Sequence, residues 1–127
     1  MSDFPIKGVA VDGWCTGNPG PGGYKGVSLE TGQTVFKVEL PLCTNNISEF
    51  LAVVEALKAG YDPIYTDSMT AINWVKKMRA NSTLESEEIQ VLLFQAGMWL
   101  RLNKPPAKVL YWNTREWGEC PADMGRK

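Results

Sequence analysis

The stretch Thr34-Val35-Phe36-Lys37-Val38-Glu39-Leu40-Pro41-Leu42-Cys43-Thr44-Asn45-Asn46-Ile47-Ser48-Glu49-Phe50-Leu51 changes period in its middle. Up to Leu40, the residues Thr34, Phe36, Val38 and Leu40 alternate with Val35, Lys37 and Glu39, the period of two of a half-buried strand. After Pro41 the apolar positions become Ile47, Leu51, Val54 and Leu57, one stripe at helical spacing. Thr44-Asn45-Asn46 offers capping side chains just before that helix, and Gly60 is placed to end it. A strand that gives way to a helix here turns the chain from a meander to a crossover.

Upstream, the apolar run Gly8-Val9-Ala10-Val11 ends on Asp12 and reads as a first strand. Gly17-Asn18-Pro19-Gly20-Pro21-Gly22-Gly23 reads as a tight loop, because glycine supplies positive φ and proline fixes the flanks. Tyr24 to Leu29 is a second strand, joined to the third by a hairpin turn at Glu30-Thr31-Gly32-Gln33. Downstream, Pro63-Ile64-Tyr65-Thr66-Asp67 is a short strand, and Ile72, Val75 and Met78 mark a second helix that Asn81-Ser82-Thr83 breaks. Ser86-Glu87-Glu88 starts a third helix with a capping hydroxyl and acids in its first turn, where the macrodipole favours them. Its stripe is Ile89, Leu92, Leu93, Ala96 and Leu100. Pro105-Pro106 stops it, and Val109-Leu110-Tyr111-Trp112 is a last strand. The order β-β-β-α-β-α-α-β predicts an α/β fold: a five-stranded mixed sheet, crossover strands parallel to the first, helices on the faces. A length of 127 residues predicts a single domain over 1–127.

The charge balance, 13 basic against 14 acidic residues, excludes a strongly basic surface as the main handle on a partner. No apolar run approaches the ~20 residues needed to cross a bilayer. Met1-Ser2-Asp3-Phe4-Pro5 lacks the basic flank and apolar stretch of a secretory signal. Cys15, Cys43 and Cys120 are too scattered for a disulfide frame, which points to a reducing, cytoplasmic setting. The chain has no histidine, so Ser-His-Asp chemistry, Cys-His chemistry and His-ligated metals are excluded. Any metal must sit on oxygen.

Acidic residues fall where such a metal would want them. Asp12 closes the first strand and Asp67 the fourth, and ligand groups gather at the carboxyl ends of parallel strands. Glu49 sits in the first turn of the first helix, and Asp123 follows the last strand. Crowded carboxylates need a cation, and hard Mg²⁺ prefers oxygen. The plainer account makes the aspartates turn or cap residues and Glu49 a dipole partner.

Three runs resemble signatures of the ribonuclease H family in order and spacing. The first is Val11-Asp12-Gly13 followed by Gly17-Asn18-Pro19-Gly20-Pro21-Gly22-Gly23-Tyr24. The second is Thr44-Asn45-Asn46-Ile47-Ser48-Glu49-Phe50-Leu51-Ala52. The third is Tyr65-Thr66-Asp67-Ser68, running into a helix that carries Trp74, and Pro121-Ala122-Asp123 resembles the family's last motif. The resemblance implies a ribonuclease H-like fold and an endonuclease that cuts the RNA strand of an RNA/DNA hybrid, leaving 5′-phosphate and 3′-hydroxyl ends. It implies that Asp12, Glu49, Asp67 and Asp123 hold two Mg²⁺ ions, or Mn²⁺, around the scissile phosphate. Substrate choice would rest on the 2′-hydroxyl, approached by Asn18, Asn45 and Asn46, with Thr44 on a phosphate of the DNA strand. The partner would be the hybrid, bound by a monomer, with no membrane and no small-molecule organic cofactor.

The chain also departs from the family. Many members carry a histidine between the last strand and the final aspartate; here the segment is Trp112-Asn113-Thr114-Arg115-Glu116-Trp117-Gly118-Glu119-Cys120, with Arg115 and Glu119 as candidate stand-ins and slower turnover expected. Trp14 stands where the family carries a small hydroxyl residue, and either stacks on substrate or anchors the loop. Trp74, Trp99 and Trp112 are expected in the core. Glu85, Glu87 and Glu88 replace a basic protrusion, after a small basic patch of Lys76, Lys77 and Arg79. The terminal helix of longer members is not expected, which puts Asp123 near the chain end. The alternative reading is a catalytically weak hybrid- or RNA-binding module of the same fold. A third is an integrase- or resolvase-like nuclease, which the Gly-Asn-Pro-Gly loop and the Thr-Asn-Asn turn disfavour.

Overall fold

The computed structural model describes residues 5–122. Strands β1 (Val9–Cys15), β2 (Gly20–Ser28) and β3 (Thr34–Cys43) form an antiparallel meander. The period switch after Pro41 then becomes helix α1 (Asn45–Ala59), followed by β4 (Ile64–Thr66), α2 (Met69–Lys77), α3 (Glu87–Asn103), β5 (Val109–Tyr111) and the single turn α4 (Thr114–Trp117). The sheet order is β3-β2-β1-β4-β5, with β4 parallel to both β1 and β5. This is the five-stranded mixed sheet expected from the element order.

Local chemistry sets the helix ends. The Thr44 hydroxyl accepts from the Ile47 N–H, the Ser68 hydroxyl from Ala71 and the Ser86 hydroxyl from Ile89, so each helix satisfies an orphan donor at its start. Helix α1 ends at Gly60 in the left-handed conformation.

The Gly17–Gly23 loop is shorter than expected. β1 continues to Cys15 and β2 begins at Gly20, with Cys15 opposite Gly22 and Trp14 opposite Gly23. Glycine signals a turn, but it also pairs in a ladder where a neighbour leaves no room for a side chain. The turn proper is therefore Thr16 to Pro19. Helix α4 was not foreseen: one turn, capped by the Asn113 carbonyl oxygen of its side-chain amide, carries no apolar period.

Helices α1, α2 and α3 build the larger core on one face of the sheet, around Val9, Val11, Ile47, Phe50, Ile64 and Leu100. The opposite face is covered by the segment after β5: Trp112, Cys120 and Ala122 pack on Ala10 and Val27, with Tyr65 and Trp117 at the edge. Trp74 and Trp112 are buried as expected, and Trp99 is half-buried against the core. Tyr65, Trp112 and Trp117 meet edge to face, with the two indoles 5.1 Å apart. Among the described residues no helix is long and apolar enough to cross a membrane.

Candidate metal centre

Parallel pairing of β1 and β4 brings their carboxyl ends side by side, so Asp12 within β1 and Asp67 just after β4 become neighbours. Glu49 comes from α1, whose first residues lie against β1. The close approach depends on Gly13. A Cβ there would meet the Ser48 hydroxyl at 2.4 Å and the Glu49 backbone nitrogen at 2.6 Å. With no side chain in the way, the Gly13 N–H donates to the Glu49 carboxylate.

Asp12, Glu49 and Asp67 each present a carboxylate oxygen, and these oxygens lie within 4.8 Å of one another. Asp12 and Glu49 are buried and Asp67 is half-buried. Glu49 is the fifth residue of α1, beyond the first turn where sequence reading put it, so the helix-dipole account of this acid does not apply. It faces the sheet.

The electrostatics carry the mark of crowded charge. Burial pushes the Glu49 carboxyl up to about 10, the Asp12 charge and the hydrogen bond that protonated Glu49 donates to the Asp12 carboxylate push the same way, and Asp67 adds to them. Only the Gly13 N–H pulls it down. The Cys120 thiol, 3.7 Å from the Val11 carbonyl oxygen, is raised by burial and by all three acids, which places the chain after β5 beside the cluster. Three hard oxygen donors gathered within 4.8 Å of one another fit a divalent cation such as Mg²⁺. Asp123, the fourth expected ligand, lies outside the described residues.

The expected nucleic-acid contacts cluster at the neighbouring corner. The Asn18 side-chain oxygen accepts from the Asn45 N–H at 2.8 Å, which ties the turn after β1 to the start of α1. Thr44 caps α1, with Asn45 and Asn46 exposed in its first turn. Gly13, Trp14, Cys15, Thr16, Lys37, Glu39 and Asn45 line an open groove of about 570 Å³ beside the acids. Trp14 is a sheet anchor: a Cβ at Gly23 would touch its ring at 2.7 Å, and the Lys37 ammonium sits 5.8 Å from the ring centroid. Arg115 and Glu119 are exposed on the segment after β5. Lys76, Lys77 and Arg79 are exposed at the end of α2. Sequence reading missed the spacer role of Gly13 and the position of Cys120 beside the acids; the Asp-Gly pair at 12–13 was the available signal for the first.

A mixed five-stranded sheet with acids gathered where its parallel strands β1 and β4 meet helix α1 defines a protein of ribonuclease H-like fold. The structure of LC11-RNase H1, isolated from compost by a metagenomic approach, shares that fold, with a TM-score of 0.56 over 88% of each chain at 18% identity. The family model described as RNase H matches residues 7–112, and the chain belongs to the ribonuclease H family, a family of hydrolases. A ribonuclease H of Ehrlichia ruminantium (strain Gardel) is 36% identical over 105 residues, covering 76% of this chain and 70% of that one. Another, from Nitratidesulfovibrio vulgaris (strain DP4), is 43% identical over 82 residues, covering 61% of this chain and 52% of its own length. The chain thus spans about half to 70% of these relatives.

Proposed function

We propose that this chain hydrolyses the RNA strand of RNA/DNA hybrids, using two divalent cations held by Asp12, Glu49 and Asp67 with Asp123 as the fourth ligand. The observation that carries the reading is the convergence of three carboxylates within 4.8 Å, one from the middle of β1, one just after β4 and one from the second turn of α1. When bound, Mg²⁺ (or Mn²⁺ in its place) supplies the charge that activates water and stabilises the leaving 3′ oxygen, so the products carry 5′-phosphate and 3′-hydroxyl. The chain's own part is preorganisation. Gly13 fixes the Glu49 carboxylate through its N–H, and the parallel β1–β4 register fixes Asp12 against Asp67. Asn18, Asn45 and Asn46 read the 2′-hydroxyl side of the hybrid, and Thr44 meets a phosphate of the DNA strand while still capping α1. Three free thiols suit the cytoplasmic setting that belongs to this reading.

The test is cleavage of a hybrid labelled on its RNA strand, in Mg²⁺ and in EDTA. Wild type cuts in Mg²⁺ only, and Asp67→Asn loses about two orders of magnitude in rate, the scale of a removed preorganised electrostatic partner. Full activity in Asp67→Asn overturns the proposal. A hybrid bound equally well in EDTA and left uncut identifies a binding module instead.

A further inference from the structure

The strand register carries a line of charge outward from the acids. Asp12 of β1 pairs with Lys25 of β2, and Lys25 with Lys37 of β3. Residues directly opposite one another in an antiparallel ladder share a face, so these three side chains stand in one row on one face. Neighbouring strands lie about 4.8 Å apart, which puts the Lys37 backbone about 10 Å from that of Asp12. The adjacent row is Trp14, Gly23 and Glu39. The Trp14 ring lies over Gly23, and the Lys37 ammonium stands 5.8 Å from its centroid. Among the described residues that ammonium meets the ring and no carboxylate. Lys37 is exposed, and it is the one cation among the residues that line the groove beside the acids.

We propose that Lys37 is a substrate-positioning residue, its ammonium taking a backbone phosphate of the nucleic acid whose scissile bond lies at the carboxylate cluster. The inference rests on the proposed function and adds a contact to it. A lysine ammonium is a compact point charge that holds phosphate without reading a base, so the contact sets register and affinity, not sequence. Stacking on Trp14 fixes the flexible stem before substrate arrives, and less rotamer freedom is then lost on binding. Glu39 sets the opposite limit. Its carboxylate, two residues along β3 on the same face and in the same groove, repels a phosphate. The backbone therefore follows the row of Lys25 and Lys37 away from the acids and avoids the row of Glu39.

The test is binding of a short RNA/DNA hybrid to the full chain in EDTA, followed by fluorescence anisotropy over a salt series from about 50 to 200 mM. Lys37→Met keeps the stem on Trp14 and removes the charge. It weakens binding about fivefold at the low-salt end and lowers the slope of log Kd against log salt by about 1, equally for hybrids of different sequence. Lys37→Arg keeps the wild-type slope, and Glu39→Gln tightens binding about twofold. A purely structural lysine would lower affinity in Lys37→Met with the slope unchanged, and that result overturns the inference, as does a Lys37→Arg variant as weak as Lys37→Met. Cleavage in Mg²⁺ separates this from the proposed function. Wild type that cuts hybrid while Lys37→Met keeps the full slope overturns the role of Lys37 alone. A slope that depends on Lys37 in a chain that cuts nothing overturns the hydrolysis and upholds the phosphate contact. A wild type that binds no hybrid overturns both.

Discussion

The backbone N–H of Gly13 donates to the carboxylate of Glu49, and the contact exists because residue 13 has no side chain. Helix and strand are thereby close enough for an acid on α1 to join acids on β1 and after β4. Replacing Gly13 with alanine puts a methyl into the Ser48 and Glu49 backbone. Overpacking of this kind costs about 1–3 kcal/mol, read from urea denaturation. Hybrid cleavage falls with it, since Glu49 shifts away from Asp12.

Metal and pH act together on Glu49. Its carboxyl ionises near 4.5 in an unperturbed chain and near 10 in the folded, metal-free protein. A raised folded value favours the fold fully below the unperturbed value, and that contribution is lost as pH rises toward and through the folded one. Calorimetry in EDTA should therefore show a Tm that declines between about pH 5 and pH 10, with a flatter decline in Glu49→Gln. Saturating Mg²⁺ raises Tm, and by more at alkaline pH, because the cation binds the ionised form.

Trp14 tests whether an aromatic on this sheet works for the fold. Its ring covers Gly23 and lies under the Lys37 ammonium. Trp14→Ala uncovers the glycine and costs about 2 kcal/mol, below the range for a fully buried Trp because the ring is half-exposed. Trp14→Phe keeps most of that stability. Thermal denaturation of the two variants side by side is the check.

Asn18 clips the turn after β1 to the first residue of α1. Its φ of 27° is one that asparagine tolerates better than alanine. Asn18→Ala loosens this corner, so under the proposed function KM for the hybrid should rise by about tenfold with a smaller change in kcat. Steady-state kinetics on a short hybrid separates the two, and a fall in kcat at constant KM would move Asn18 from binding to chemistry.

Much of this was legible in residue order because it is local. The switch of period at Pro41, the Ser86 cap and the Gly60 stop are decided within a few residues, by hydrogen bonds and burial that repeat at 2 or 3.6 residues. The glycine run at 17–23 was misjudged because its local signal is a turn, while the ladder to Cys15 and Leu40 that extends β2 comes from two other strands. Glu49 was placed in the wrong turn for a similar reason: the helix starts at Asn45, where the Thr44 cap sets it.

By itself the sequence determined the order of strands and helices, the exclusion of histidine chemistry and the acids available to hold a cation. Only the tertiary structure decided that Asp12, Glu49 and Asp67 meet, that Trp14 lies on Gly23 and that Lys37 shares a cross-strand row with Asp12. Periodicity is a property of neighbours along the chain. Convergence depends on which strands pair and how closely a helix can approach, and that was settled by the absence of a side chain at Gly13.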